Sequence, residues 1–194
     1  MTLKLILLAS LASAPISAST APGSNASSTA DSSISQDEMA IYNTVLASWL
    51  GKHQGRQLVN EKLGAPPSKH DPEFDECTKG LDFRSIAQAA ENKKSLAGVR
   101  FKTNGIELID GSQWKPADPG QGIANGESVE TAVRNGFANS LISFSQIAFS
   151  RDGKDALVKF SMVCGGLCGS GSTIHLHKSA TGWTILGRCE EWIS

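Results

Sequence analysis

The sequence predicts an α+β fold in which N-terminal helices pack on a C-terminal antiparallel β-meander, and three observations carry that expectation. Residues 141–194 hold four successive runs rich in β-branched and aromatic residues, separated by turn residues. Two stretches upstream, roughly 36–50 and 127–139, repeat apolar residues at helical spacing. No internal repeat and no second linker interrupts the chain after residue 34, so residues 35–194 read as one α+β domain.

Met1–Ala18 has one early lysine, Lys4, then the apolar run LILLASLASAPIS and small residues, the pattern of a secretory signal peptide and too short for a membrane span. Cleavage is expected after Ala18, because cleavage after Ala14 or Ala21 would place a proline next. No cysteine lies near this junction to take a lipid anchor. Residues 19–34, STAPGSNASSTADSSI, offer almost nothing to bury and read as a flexible linker. The expected location is the periplasm or the exterior, with no membrane span in the mature chain. The whole sequence of 194 residues carries a formal charge of −1, which loss of Lys4 makes −2. A balance so near neutral, without a basic cluster, gives no support for nucleic-acid binding.

Ser35 and Glu38 form a capping-box pattern, and Met39, Tyr42, Val45, Leu46 and Trp49 follow at helical spacing until Gly51, which predicts a helix over 36–50. Arg56–Leu63 has the composition of a short strand, ended by Gly64-Ala65-Pro66-Pro67. A second helix is expected over Arg84–Lys94. Phe101–Ile109 reads as a strand or as a hairpin around Asn104-Gly105. Lys115–Gly126 is a loop on composition, with Asp118 and Asp110 as turn residues. The helix over Glu127–Asn139 is expected to pack on the sheet through Val129, Val133 and Phe137.

The meander strands are expected at Leu141–Phe149, Ala156–Cys164, Ser172–Lys178 and Trp183–Cys189. Asp152-Gly153 supplies the positive-φ pair for one tight turn, and Ala180-Thr181-Gly182 serves another. Alternation puts Val158, Phe160 and Met162 on a buried face opposite Lys159 and Ser161, and Ile174 and Leu176 inward opposite Thr173, His175 and His177 on the wet face. Trp49 and Trp183 have core periodicity, Trp192 is expected to pin the last strand, and Trp114 is a candidate surface contact.

Four cysteines in an exported chain indicate disulfides, with three possible pairings. The loop CGGLCGSG, Cys164–Gly171, holds two of them among glycines that permit sharp bends or close approach. With Ser145 and Phe149 in an SxxxF pattern, Ala156–Val158 and a terminal Trp-Ile-Ser, this segment resembles the C-terminal end of a family of uncharacterised bacterial exported proteins and lipoproteins. The resemblance covers about the last quarter of the chain and implies export, but no activity. It carries the Cys164–Cys168 pair as a signature, the glycines between and after these cysteines favour the same bridge, and Cys77–Cys189 is the preferred second pair. Loop entropy assigns about 2 kcal/mol to the short ring and about 5 kcal/mol to the long one.

The residues for chemistry are sparse. A redox site usually presents CxxC at a helix start, whereas here the spacing is CxxxC between strands. His175 and His177, two apart on a strand, could join Cys164 or Cys168 around a zinc ion, but a disulfide would consume the thiols and no fourth ligand is evident. The acidic run at Asp71, Glu73, Asp75 and Glu76 lacks the glycine and spacing of a calcium loop, and His53 and His70 lie in loop-like contexts. GxSxG, HExxH and GxxxxGK patterns are absent. The expectation is therefore an envelope protein without a cofactor. It would bind a partner protein or small ligand through Gly165, Gly166, Leu167, Gly169, Ser170, Gly171 and the adjoining sheet face. The alternative is a metal-binding protein or hydrolase-type enzyme centred on His175 and His177.

Overall fold

The computed structural model describes residues 33–51, 56–67, 78, 81–83, 94–165 and 168–194. The chain enters through helix α1, Gln36–Leu50, whose capping box is formed as expected: the Ser35 hydroxyl accepts from Glu38 N–H and the Glu38 carboxylate accepts from Ser35 N–H. Glu38 is buried and answered by Lys94 Nζ at 2.9 Å. Ile41, Tyr42, Val45 and Leu46 have no solvent exposure, and side chains so buried contribute about 1.5–3 kcal/mol each. The Tyr42 hydroxyl donates to the Ser145 carbonyl at 3.0 Å, and burial pushes its phenol above the ordinary pKa.

The element that receives α1 corrects the expected architecture. Strands β1 (Gln57–Asn60) and β2 (Ile106–Ile109) belong to the same sheet as the C-terminal strands β3 (Leu141–Phe144), β4 (Ala148–Phe149), β5 (Asp155–Gly165), β6 (Cys168–Ser179) and β7 (Gly182–Ile193). The order is β2-β1-β3-β5-β6-β7, with β4 pairing β5 off that path. β1 runs parallel to both β2 and β3, and the remaining pairs are antiparallel. The sheet is mixed and dominates the fold. An architecture of N-terminal helices packed on a purely antiparallel meander does not describe it.

The physical reason lies in β1 and β2. Each is four residues long, too short to show a period, and parallel strands are joined by long crossovers that leave no turn signal. Arg56–Leu63 does contain a strand. Phe101–Ile109 contributes one strand but no hairpin, since β2 pairs with β1 in parallel and Gly105, at φ 83°, only turns the chain into it. The helix expected at Arg84–Lys94 falls on residues 84–93, outside the described residues. So do the expected signal peptide and cleavage point, most of the linker, the acidic run at 71–76, His53 and His70.

The local reading of the meander holds in most joints. β4 and β5 turn at Asp152-Gly153, with Gly153 at φ 72° and Asp152 Oδ1 accepting from Ser150 Oγ and Lys154 N–H. Gly182, at φ 122°, closes the β6–β7 turn. The first expected strand is broken into β3 and β4, because Gly64 bridges Ser145 and accepts from Gln146 N–H at 3.0 Å. Val158, Phe160, Met162, Ile174 and Leu176 face the main core with α1, and Phe144 packs its ring 5.1 Å from Tyr42 and 5.6 Å from Phe160. Trp183 is buried and Trp49 packs on Phe160 at 5.3 Å. The opposite face is drier than alternation suggests, since Leu157 is buried with Phe83 and Ala148, and Thr173 is buried as well.

α1 is latched to the far end of the sheet by Asp37. Its carboxylate accepts from Lys178 Nζ at 2.8 Å and from Trp183 Nε1 at 3.1 Å, and these bonds hold the carboxyl below its ordinary value of 3.8. A carboxyl whose pKa folding lowers adds stability above its unfolded pKa, about 4 here, and loses it as the pH falls through the folded value. Asp37→Asn should remove this part of the acid sensitivity. Urea midpoints measured at about pH 5 and about pH 3 should fall further for the native chain than for the variant, and equal falls would contradict the latch.

Candidate functional site

The expected contact face of the helix over Glu127–Asn139 proves to be a surface. Helix α3, Val129–Ala138, starts at its N-cap Ser128, but it buries Ala132 and Gly136 and leaves Val129, Val133 and Phe137 exposed by 63 %, 43 % and 44 %. The small residues explain the rotation. A Cβ at Gly136 would stand 3.3 Å from Pro119 Cγ and 4.0 Å from the Cys164 carbonyl, so the helix approaches the sheet too closely for a large side chain on that side.

The stretch expected to be a loop, Lys115–Gly126, contains helix α2, Pro119–Ala124. Asp118 caps it by accepting from Gln121 N–H at 3.0 Å, with Pro119 in the first turn. The incoming segment is tied to the end of α3. Trp114 Nε1 donates to the Asn139 carbonyl at 2.8 Å, and Asn139 Nδ2 donates to the Lys115 carbonyl at 3.0 Å. Trp114, the candidate surface contact, thus braces the incoming segment to the end of α3 and is half-buried.

Between these helices and the end of the β5–β6 hairpin lies a groove of about 790 Å³. Pro116, Ala117 and Pro119 form one wall, Val133, Gly136 and Phe137 a second, and Gly165 with Cys168 the third. Asp118 is the one charged side chain among the described lining residues, and its carboxylate already serves as the α2 cap. Such a volume is in the usual range of small-molecule sites, whose walls are mostly apolar.

Cys164 and Cys168 form the expected disulfide, with Cα atoms 5.2 Å apart. Cys164 lies in the main core and Cys168 on the groove. None of the described cysteines is free; Cys77, the expected partner of Cys189, lies outside the described residues. Only Gly166 and Leu167, also outside them, separate the two strands, so CGGLCGSG is mainly a hairpin end and not an open loop. Gly165 closes β5, while Gly169, Ser170 and Gly171 sit inside β6 between β5 and β7.

The glycines of β6 have a packing role that the sequence reading missed. A Cβ at Gly171 would meet the Trp192 indole, and one at Gly169 would stand 3.2 Å from Trp192 Cζ3 and from Ser194 Oγ. Gly169 and Ser194 also exchange backbone hydrogen bonds, at 2.9 and 3.3 Å. Trp192 therefore lies across a glycine gap and pins β7 as expected, which joins the terminal Trp-Ile-Ser to the cysteine-glycine segment.

His175 and His177 do share a face, but both turn onto a residue not singled out from the sequence. His175 Nε2 lies 2.9 Å and His177 Nδ1 3.1 Å from the same Oδ1 of Asp155, a buried residue at the start of β5. The hydrogen bonds satisfy a buried carboxylate, and the β5–β6 register, which pairs Asp155 with His177, brings the three together. Among the described residues, no group of three or more His, Cys, Asp or Glu side chains is placed to hold a metal ion. No helix among the described residues is long and apolar enough to cross a membrane. Comparison with protein-family models, with curated proteins and with solved structures finds no match for this chain.

Proposed function

We propose that this is an exported, non-catalytic binding protein of the cell envelope, and that its ligand is a small neutral apolar molecule held in the groove between α2, α3 and the disulfide hairpin. The resemblance of residues 143–194 to exported bacterial proteins supports the location. One observation supports the ligand class. Val133 and Phe137, which a helix of this pattern would ordinarily bury, are held at the surface beside Pro116, Ala117 and Cys168, and Asp118, the one charged side chain among the described lining residues, is engaged as a helix cap. A charged ligand would lose water there without gaining a partner among the described lining residues. The described lining supplies no acid–base pair, so the groove is suited to binding and not to chemistry.

The test is titration with N-phenyl-1-naphthylamine, a neutral fluorescent probe. The native protein should bind it saturably at one site. Val133→Asp should weaken binding at least about tenfold, since the new carboxylate must be desolvated, while stability changes by no more than about 0.5 kcal/mol at so exposed a position. Leu186→Asp, at an exposed apolar position on β7, should leave the affinity unchanged. Equal losses in both variants, or no saturable binding by the native protein, would contradict the assignment.

A further inference from the structure

The two sulfurs of the Cys164–Cys168 bridge stand in different surroundings. Cys164 is fully buried in the main core, whereas Cys168 is half-buried and lines the groove. The groove therefore offers a thiolate arriving from solvent a path to Cys168, which lines it, and not to the buried Cys164. We propose that Cys168 Sγ is a thiol–disulfide exchange site for small dithiols whose access is controlled by the groove's ligand; this rests on the binding role of the groove proposed above.

One thiolate of the dithiol bonds to Cys168 Sγ, the Cys164–Cys168 bond breaks, and Cys164 leaves as a thiolate that takes up a proton. The second thiol of the dithiol then attacks the mixed disulfide and releases Cys168, so two electrons pass from the dithiol, which ends as a cyclic disulfide, to the protein. A ligand lying over Cys168 blocks the first attack.

Linkage makes the coupling reciprocal, because the bridge also shapes the groove. The β5–β6 register shifts between Val163 and Gly165, so at Cys164 the ladder is irregular and the bridge, with the Gly165–Cys168 pair, closes the hairpin end. That end touches both other walls. A Cβ at Gly165 would stand 3.3 Å from the Ala117 carbonyl oxygen, and the Cys164 carbonyl faces Gly136. Once the bridge opens, the hairpin end is no longer held against the proline segment and α3, and the groove binds its ligand less well.

The experiment follows reduction of the native, oxidised protein by dithiothreitol, with timed quenching by iodoacetamide and mass analysis of alkylation at Cys164 and Cys168. It is run with and without N-phenyl-1-naphthylamine at about ten times its dissociation constant. If only the empty groove reacts, the probe should slow alkylation of this pair about tenfold in the native chain and by no more than about twofold in Val133→Asp. The Cys164→Ala/Cys168→Ala chain should bind the probe at least about threefold more weakly than the native chain. Saturable probe binding with an unchanged reduction rate would overturn the exchange-site proposal while leaving the binding role intact. Failure of the probe to bind the oxidised protein would overturn both. Because the rate is read on the oxidised native chain, the result stands even if the double variant folds poorly.

Discussion

Phe144→Ala is expected to lower stability by about 3–5 kcal/mol, the largest loss from any single substitution considered. Phe144 is 2 % exposed and ends β3, the strand at which the sheet changes from parallel to antiparallel pairing. Its ring sits between Tyr42 on α1 and Phe160 on β5, so truncation leaves a cavity bounded by a helix and two strands that cannot all close on it. Equilibrium urea unfolding measures the loss directly. A change under about 1 kcal/mol would show that α1 does not pack on the sheet through this residue.

Gly171→Val carries the second-largest expectation. The new side chain would collide with the Trp192 indole while both strands are held by their ladders, and overpacking of this kind costs about 1–3 kcal/mol. The cost should fall sharply when Trp192→Ala is introduced in the same chain, because the glycine gap then has no occupant. Urea midpoints of the two single variants and the double variant give the coupling. If valine at position 171 costs as much without the indole as with it, the glycine serves some purpose other than receiving Trp192.

The sequence made some of this legible and concealed the rest for physical reasons. Helix α1 was readable because its cap, its period and its terminating glycine agree, and the turns at Gly153 and Gly182 were readable because positive φ restricts the residue choice. The sheet's N-terminal strands were not. Four-residue parallel strands have no period to detect, and their partners lie far along the chain, Gln57 with Ile106 and Leu58 with Leu141.

The candidate site was half visible. The cysteine-glycine segment points to one wall, but an apolar stripe such as Val133 and Phe137 on a helix ordinarily faces a core. The opposing signal was also in the sequence: Ala132 and Gly136, four apart, mark a face able to approach a neighbour closely. Asp118-Pro119 likewise carried a cap followed by a first-turn proline, and would have placed α2 within the supposed loop. Asp155 escaped notice because its role depends on strand register, which brings it to His175 and His177 from twenty or so residues away.

The groove walled by α2, α3 and the disulfide hairpin is the proposed binding site. Amide chemical-shift mapping of the uniformly nitrogen-15-labelled oxidised protein, titrated with N-phenyl-1-naphthylamine, tests it most directly. The predicted result is a saturable set of shifts concentrated at Ala117, Val133, Gly136, Phe137, Gly165 and Cys168, with one dissociation constant fitting them all. Shifts concentrated instead at the cleft between Trp49, Ser172 and Arg188, or shifts that never saturate, would contradict the claim.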